Sequence, residues 1–144
     1  MNSNTDHFSL DNLQALSNQL DQSPWLVACL CAAWCDTCQS YRPQFEELSR
    51  KQNNKIFAWI DIEDHADLIE DLDIENFPTI LIEYEAKVLF LGTMLPDATL
   101  VGKLLSNLES VLETKPLTAI APMIQEANRG IGEWSLSKKI KAQN

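Results

Sequence analysis

Four cysteines lie within ten residues, Cys29, Cys31, Cys35 and Cys38, and they are all the cysteines of the 144-residue chain. Such a cluster can serve as a dithiol that exchanges with disulfides, as a thiolate set for a metal, or as small buried filler. The stretch Ala33-Trp34-Cys35-Asp36-Thr37-Cys38 sets a Cys-x-x-Cys pair after an apolar run and at the start of a helical pattern. A thiolate at the first position faces the positive end of the helix dipole and unpaired N–H groups, which makes Cys35 the expected nucleophile. Cys38 follows nearly one turn later, so the two sulfurs can close a disulfide and Cys38 is the expected, more buried, resolving thiol. The cycle would be attack by Cys35 on a substrate disulfide, a mixed disulfide, then release by Cys38.

Cys29 and Cys31 precede this pair in the run Trp25-Leu26-Val27-Ala28-Cys29-Leu30-Cys31. Residues i and i+2 of a strand share a face, so both side chains can point to the underside of the helix that carries Cys35 and Cys38. They are either small buried fillers or auxiliary thiols, with Cys31 placed to trap Cys38 or to stabilise an overoxidised Cys35. Four thiols also suffice in number for a four-thiolate zinc or iron–sulfur site. Against that stand a stiff strand supplying two of the ligands and a spacing unlike paired Cys-x-x-Cys knuckles. No metal is therefore expected.

Periodicity gives the elements that must position these thiols. Ser9 caps a helix carrying Leu10, Leu13, Leu16 and Leu20, ended by Ser23-Pro24. The continuous apolar run 25–31 reads as a strand buried on both faces. Residues 35–51 read as a helix with Phe45 and Leu48 inward and Pro43 as a kink. Ile56–Ile62 is a second strand, and residues 65–72 a short acidic helix. Pro78–Ile82 and Val88–Leu91 read as strands joined by a tight hairpin at Glu85-Ala86. Pro96-Asp97 opens a helix with Leu100, Leu104, Leu105, Leu108 and Leu112 on its stripe. The order α-β-α-β-α-β-β-α implies an α/β fold, a mixed sheet with helices on both faces.

The combination of Trp34-Cys35-x-x-Cys38 after a hydrophobic strand, Pro43 five residues past the second cysteine, and Phe77-Pro78-Thr79 opening a later strand resembles the thioredoxin family. The resemblance covers about residues 8–113 and implies a thioredoxin-like fold. It implies that Pro78 is cis, a form found for about 5–6% of X–Pro bonds. That proline would pack beside the disulfide, with the neighbouring backbone pairing to an extended substrate segment. Trp34, Asp36, Thr37, Phe77, Pro78 and Thr79 are thus the expected neighbours of the reactive pair, Trp34 on the rim and Thr37 as a solvated tuning residue. Three departures matter. Asp36 and Thr37 replace the Gly-Pro of classical thioredoxins, and the Asp36 carboxylate opposes the Cys35 thiolate. A reducing couple follows, near or below thioredoxin's value of about −270 mV. The family's buried acid, six residues before the first cysteine, aligns with Cys29, and its lysine partner with Trp59. The relay that deprotonates the resolving thiol is therefore absent or rebuilt. Ala86 stands where the hairpin tip usually has Gly.

Composition bounds the rest. With 45% apolar and 22% charged residues, the chain supports a packed core. Net charge is −10, which argues against nucleic-acid or anionic membrane partners. No apolar run approaches a membrane span, and the first ten residues lack the pattern of a secretory signal, so a cytoplasmic location is expected. Residues 1–114 hold 6 Lys/Arg against 19 Asp/Glu, whereas residues 115–144 hold 5 against 2. The expected organisation is a thioredoxin-like domain over 1–114 and a C-terminal helical extension and tail over 115–144. In the extension, Leu117, Ile120, Met123, Ile124 and Ala127 form a stripe for an extra helix packed on the body. The tail from Gly130 is either frayed or a docking arm anchored by Trp134. Seven carboxylates from Glu63 to Glu75 read as a solvated face, and His7 and His65 as surface residues.

The expected activity is thiol–disulfide exchange, a protein disulfide reductase that needs no bound cofactor. Its clients would be disulfide-containing proteins, and a separate reductase or a small thiol would donate electrons. The rival is a redox-regulated binding module with little turnover.

Overall fold

The computed structural model describes residues 13–69, 72, 74, 76–115 and 134–142. Their elements are α1 (Leu13–Gln19), β1 (Trp25–Cys31), α2 (Asp36–Lys51), β2 (Ile56–Asp61), α3 (Ala66–Ile69), β3 (Thr79–Tyr84), β4 (Lys87–Thr93), α4 (Ala98–Thr114) and α5 (Leu136–Ala142). The strands form one mixed sheet in the order β2-β1-β3-β4, with β1 parallel to β2 and antiparallel to β3. Helices cover both faces, as the element order implies.

Strand β1 is central, and all seven of its residues are buried. Its alternation divides the core into two layers. Trp25, Val27, Cys29 and Cys31 join Cys38, Tyr41 and Phe45 of α2 and Val101 and Leu105 of α4. Leu26, Ala28 and Leu30 join Leu16 and Leu20 near α1, Leu68 and Ile69 of α3, and Leu136 and Ile140 of α5. The two strand cysteines thus lie on the side of the sheet that α2 covers, because side chains two apart share a face.

Helix α2 keeps Pro43 in its interior and runs to Lys51. Phe45 and Leu48 point inward as expected, and Cys38 and Tyr41 join them. Gln44 ties α2 to α4 by accepting a hydrogen bond from the Ala98 N–H at 3.2 Å. Asp97 caps α4 by accepting from the Thr99 N–H at 3.0 Å and its hydroxyl at 2.6 Å. These bonds hold its carboxyl below the usual carboxylate range. The buried stripe of α4 centres on Ala98, Val101 and Leu105, with Leu104, Leu108 and Leu112 flanking it half-buried. The leucine pattern alone placed that stripe too far round the helix, because β-branched Val101 is the residue that reaches the core. The hairpin tip is Glu85-Ala86, both left-handed at φ 50° and 64°. That is the geometry of a two-residue hairpin whose turn matches the strand twist.

The C-terminal segment departs from the expected tail. Helix α5 packs against α1 and α3, with Leu136 and Ile140 fully buried. Trp134 lies half-buried against the same layer, so this helix is part of the core and not a free arm. Its anchor is Glu83, buried on β3 just past a register shift. The Glu83 carboxylate accepts from the hydroxyls of Ser135 (3.0 Å) and Ser137 (2.7 Å) and from the N–H groups of Leu136 (2.5 Å) and Ser137 (3.2 Å). Burial pushes this carboxyl above the usual range, against the hydrogen bonds that favour its charged form. Ser9, the stripe at 117–127 and four of the seven clustered carboxylates (Glu70, Asp71, Asp73, Glu75) lie outside the described residues, as does His7.

Candidate functional site

The site forms where β1 ends and α2 begins. Ala32 accepts a hydrogen bond from the Cys35 N–H at 3.0 Å, and Gln39 reaches back to donate to the Ala33 carbonyl at 2.6 Å. These bonds fix the Trp34-Cys35 turn against the helix mouth. Cys35 is the N-cap of α2, with extended backbone (φ −89°, ψ 115°) and no side-chain capping bond. Its thiol is half-buried and unbonded to another sulfur. Asp36 and Thr37 are exposed beside it.

Cys38 is 1% exposed, and its disulfide partner is Cys31, not Cys35. The Cys31 and Cys38 Cα atoms lie 5.8 Å apart, within the usual disulfide range. The expected bridge within Cys-x-x-Cys is thus replaced by one from strand to helix. The physical reason is placement: Cys31 ends β1 on the face that α2 covers, directly beneath the first helical turn. Cys29 Sγ lies 3.5 Å from Cys31 Sγ. Burial pushes the Cys29 thiol far above its ordinary range, opposed only weakly by the positive charge of Arg42. Two of the four thiols are therefore joined to each other. No group of three or more His, Cys, Asp or Glu placed to hold a metal occurs among the described residues.

The second wall is the loop before β3. The Phe77–Pro78 peptide is cis, as the resemblance implied. The β1–β3 register ends at Leu30↔Thr79, so Pro78 stands opposite the end of β1 that carries Cys31. Thr79 is buried and donates its hydroxyl to the Asn76 carbonyl at 2.6 Å, and Pro78 accepts from the Met94 N–H at 3.3 Å. Phe77 meets Trp34 edge-on, ring centres 5.6 Å apart, joining the two walls. Trp34 itself is 64% exposed, on the rim.

The two residues that the resemblance sets at the family's acid and lysine positions are neighbours in the sheet. Cys29 pairs with Trp59 across the β1–β2 register. The cation that lies there comes from α2, where the Arg42 guanidinium stands 5.3 Å over the Trp59 ring. A cavity of about 250 Å³ opens beside Cys38, with Arg42, Trp59, Asp61 and His65 in its walls. Arg42, Gln39 and Tyr41 are not singled out by the sequence; for Tyr41 and Arg42 the signal is their spacing of three and four residues from Cys38 on one helix face, and for Gln39 there is none. The Tyr41 hydroxyl is buried with no hydrogen-bond partner among the described residues, and burial pushes it up, helped by the charges of Cys29 and Asp97.

The family model described as Thioredoxin matches residues 7–100. A thioredoxin of Ictalurus punctatus is 35% identical over 74 residues, 49% of this chain and 69% of that protein. Thioredoxin domain-containing protein 2 of Mus musculus is 42% identical over 74 residues, 51% of this chain. This chain spans only 13% of that longer mouse protein. Among solved structures, oxidised mitochondrial thioredoxin 3 from Saccharomyces cerevisiae superposes with a TM-score of 0.59 at 21% identity, covering 74% of this chain and 99% of that one. Fasciola hepatica thioredoxin gives 0.57 at 18% identity, over 70% and 95% of the two chains. With its helix-mouth dithiol motif, its cis-proline wall and the family match over most of its length, this chain belongs to the thioredoxin family and carries a disulfide-forming cysteine pair suited to thiol–disulfide exchange.

Proposed function

We propose that the protein is a protein disulfide reductase in which Cys35 attacks and Cys38 resolves. The observation that carries this reading is the unbonded, half-buried Cys35 thiol at the N-cap of a sixteen-residue helix, next to Trp34, whose ring meets Phe77 of the cis-proline loop. The Cys35 thiolate attacks one sulfur of a client disulfide, and the other leaves as a thiolate. The Cys38 thiolate then attacks Cys35 Sγ, releasing the second client thiol and leaving a Cys35–Cys38 bridge. Two electrons from a separate reductase or a small thiol restore the dithiol. Phe77, Pro78 and Thr79 would line the client segment, and Trp34 would cover its edge. The proposed setting is the cytoplasm, where thiol pools are reducing. Clients are disulfide-containing proteins.

Reduction of insulin disulfides by the protein with dithiothreitol as donor tests the reading. Turnover above the dithiothreitol background, lost in Cys35→Ser, is expected. Turnover equal to background in the wild type would contradict it. A second reading, a redox-regulated binding module, is favoured by one feature: Cys29 replaces the buried acid, and a thiol pushed so far up by burial does not act as a base for Cys38 at neutral pH. Tight client binding without turnover would select that reading.

A further inference from the structure

We infer that Cys31 is a third redox cysteine that takes Cys38 over from Cys35, moving the disulfide from the helix mouth into the core. Three observations meet at this point. Cys38 is bonded to Cys31 across the β1–α2 packing face. Both residues are 1% exposed, whereas Cys35 is half-buried and free. The β1 alternation that places Cys31 there also sets Cys29 beside it at 3.5 Å. Because Cys31 carries no hydrogen once bridged, the Cys29 S–H is the donor in that contact.

The step rests on the reading of Cys35 and Cys38 as the exchanging pair, and it balances without another reactant. The Cys31 thiolate attacks Cys38 Sγ of the Cys35–Cys38 bridge. The 31–38 bond forms as the 35–38 bond breaks, and Cys35 leaves as a thiolate that takes up the proton Cys31 gave up. Sulfur oxidation states are exchanged, with no net gain or loss of electrons. The oxidising equivalent from one client is thereby held where reductants have poor access, since exchange requires approach to a disulfide sulfur. The surface nucleophile is meanwhile regenerated. The reverse attack, Cys35 on Cys38, returns the bridge to the surface for reduction. The protein so built would keep Cys35 reactive while oxidised, a state that a two-cysteine site does not have.

Disulfide mapping of the full chain decides the matter. The protein is reduced, oxidised with oxidised glutathione, quenched in acid, alkylated and cut at Trp34 with chymotrypsin. That cut separates Cys29 and Cys31 from Cys35 and Cys38. The inference predicts a major bridge linking the two peptides through Cys31 and Cys38, and native alkylation of Cys35 in the oxidised protein. In Cys31→Ser the bridge becomes 35–38 and the Cys35 labelling is lost. Should Cys31→Ser fold poorly, Cys31→Ala serves instead, with the same shift to a 35–38 bridge expected. A major 35–38 bridge in the wild type, with Cys35 protected from alkylation, overturns the inference. The map is independent of insulin turnover: a 31–38 bridge in a protein without turnover keeps this inference and discards the reductase.

Discussion

At the scale of residues, the site differs from classical thioredoxins in the groups around Cys35. Asp36 is exposed beside Cys35, and a carboxylate there adds negative charge next to the thiol. Asp36→Asn should therefore make the couple less reducing, by about 20 mV, since an exposed unit charge is worth about 1 kcal/mol in water. Equilibration against glutathione measures this, and a shift to more reducing values would contradict it. Tyr41 presents the opposite case, a buried hydroxyl without a partner among the described residues. Tyr41→Phe removes that unsatisfied group and should raise stability by about 1 kcal/mol in urea unfolding. The placement of Trp34 and Cys35 at the helix mouth and the cis form of Pro78 were legible in residue type and spacing. The Cys31–Cys38 bond was not, because Cys38 has two partners within reach and only the placement of α2 on β1 selects between them. The i, i+2 rule did place both strand cysteines under that helix.

At the scale of elements, patterning worked best where burial is simplest. Strand β1 is apolar throughout and buried throughout. The hairpin was legible too, though its tip uses two non-glycine residues at positive φ. Replacing Glu85-Ala86 by Asn-Gly relieves that conformation and should stabilise the protein by about 1 kcal/mol, read as a higher urea midpoint. Phe45 of α2 stacks edge-on with Phe57 (5.3 Å) and Trp59 (5.6 Å), so it joins the site helix to β2. Phe45→Ala should cost about 3–5 kcal/mol in the same assay. Helix α4 was read from its leucines, and the core takes Ala98 and Val101 beside Leu105 while Leu104, Leu108 and Leu112 flank it, because the leucine spacing did not specify which flank faced the sheet.

At the scale of the whole molecule, α5 closes the core layer opposite the redox site, and Glu83 holds it there. This was illegible because the pairing spans more than fifty residues and a glutamate in a strand normally signals solvent. Glu83→Ala should release α5 and lower stability by a few kcal/mol, since the capping bonds to Ser135, Leu136 and Ser137 are lost. Glu83 also gives stability a pH dependence. Its native value lies above its ordinary 4.5. The folded state therefore binds a proton over a range where the unfolded chain does not. Stability should fall as pH rises from 4.5 through that higher value. The difference between wild type and Glu83→Gln in urea midpoint against pH isolates this contribution. A difference that grows with the opposite slope would contradict it.

The central claim, that Cys35 is the thiol that meets client disulfides, is tested most directly by trapping the mixed disulfide. Cys38→Ser, incubated with a disulfide-containing peptide and mapped by mass spectrometry, should hold the peptide on Cys35. A peptide held on Cys29 or Cys31, or no adduct at all, would contradict the account.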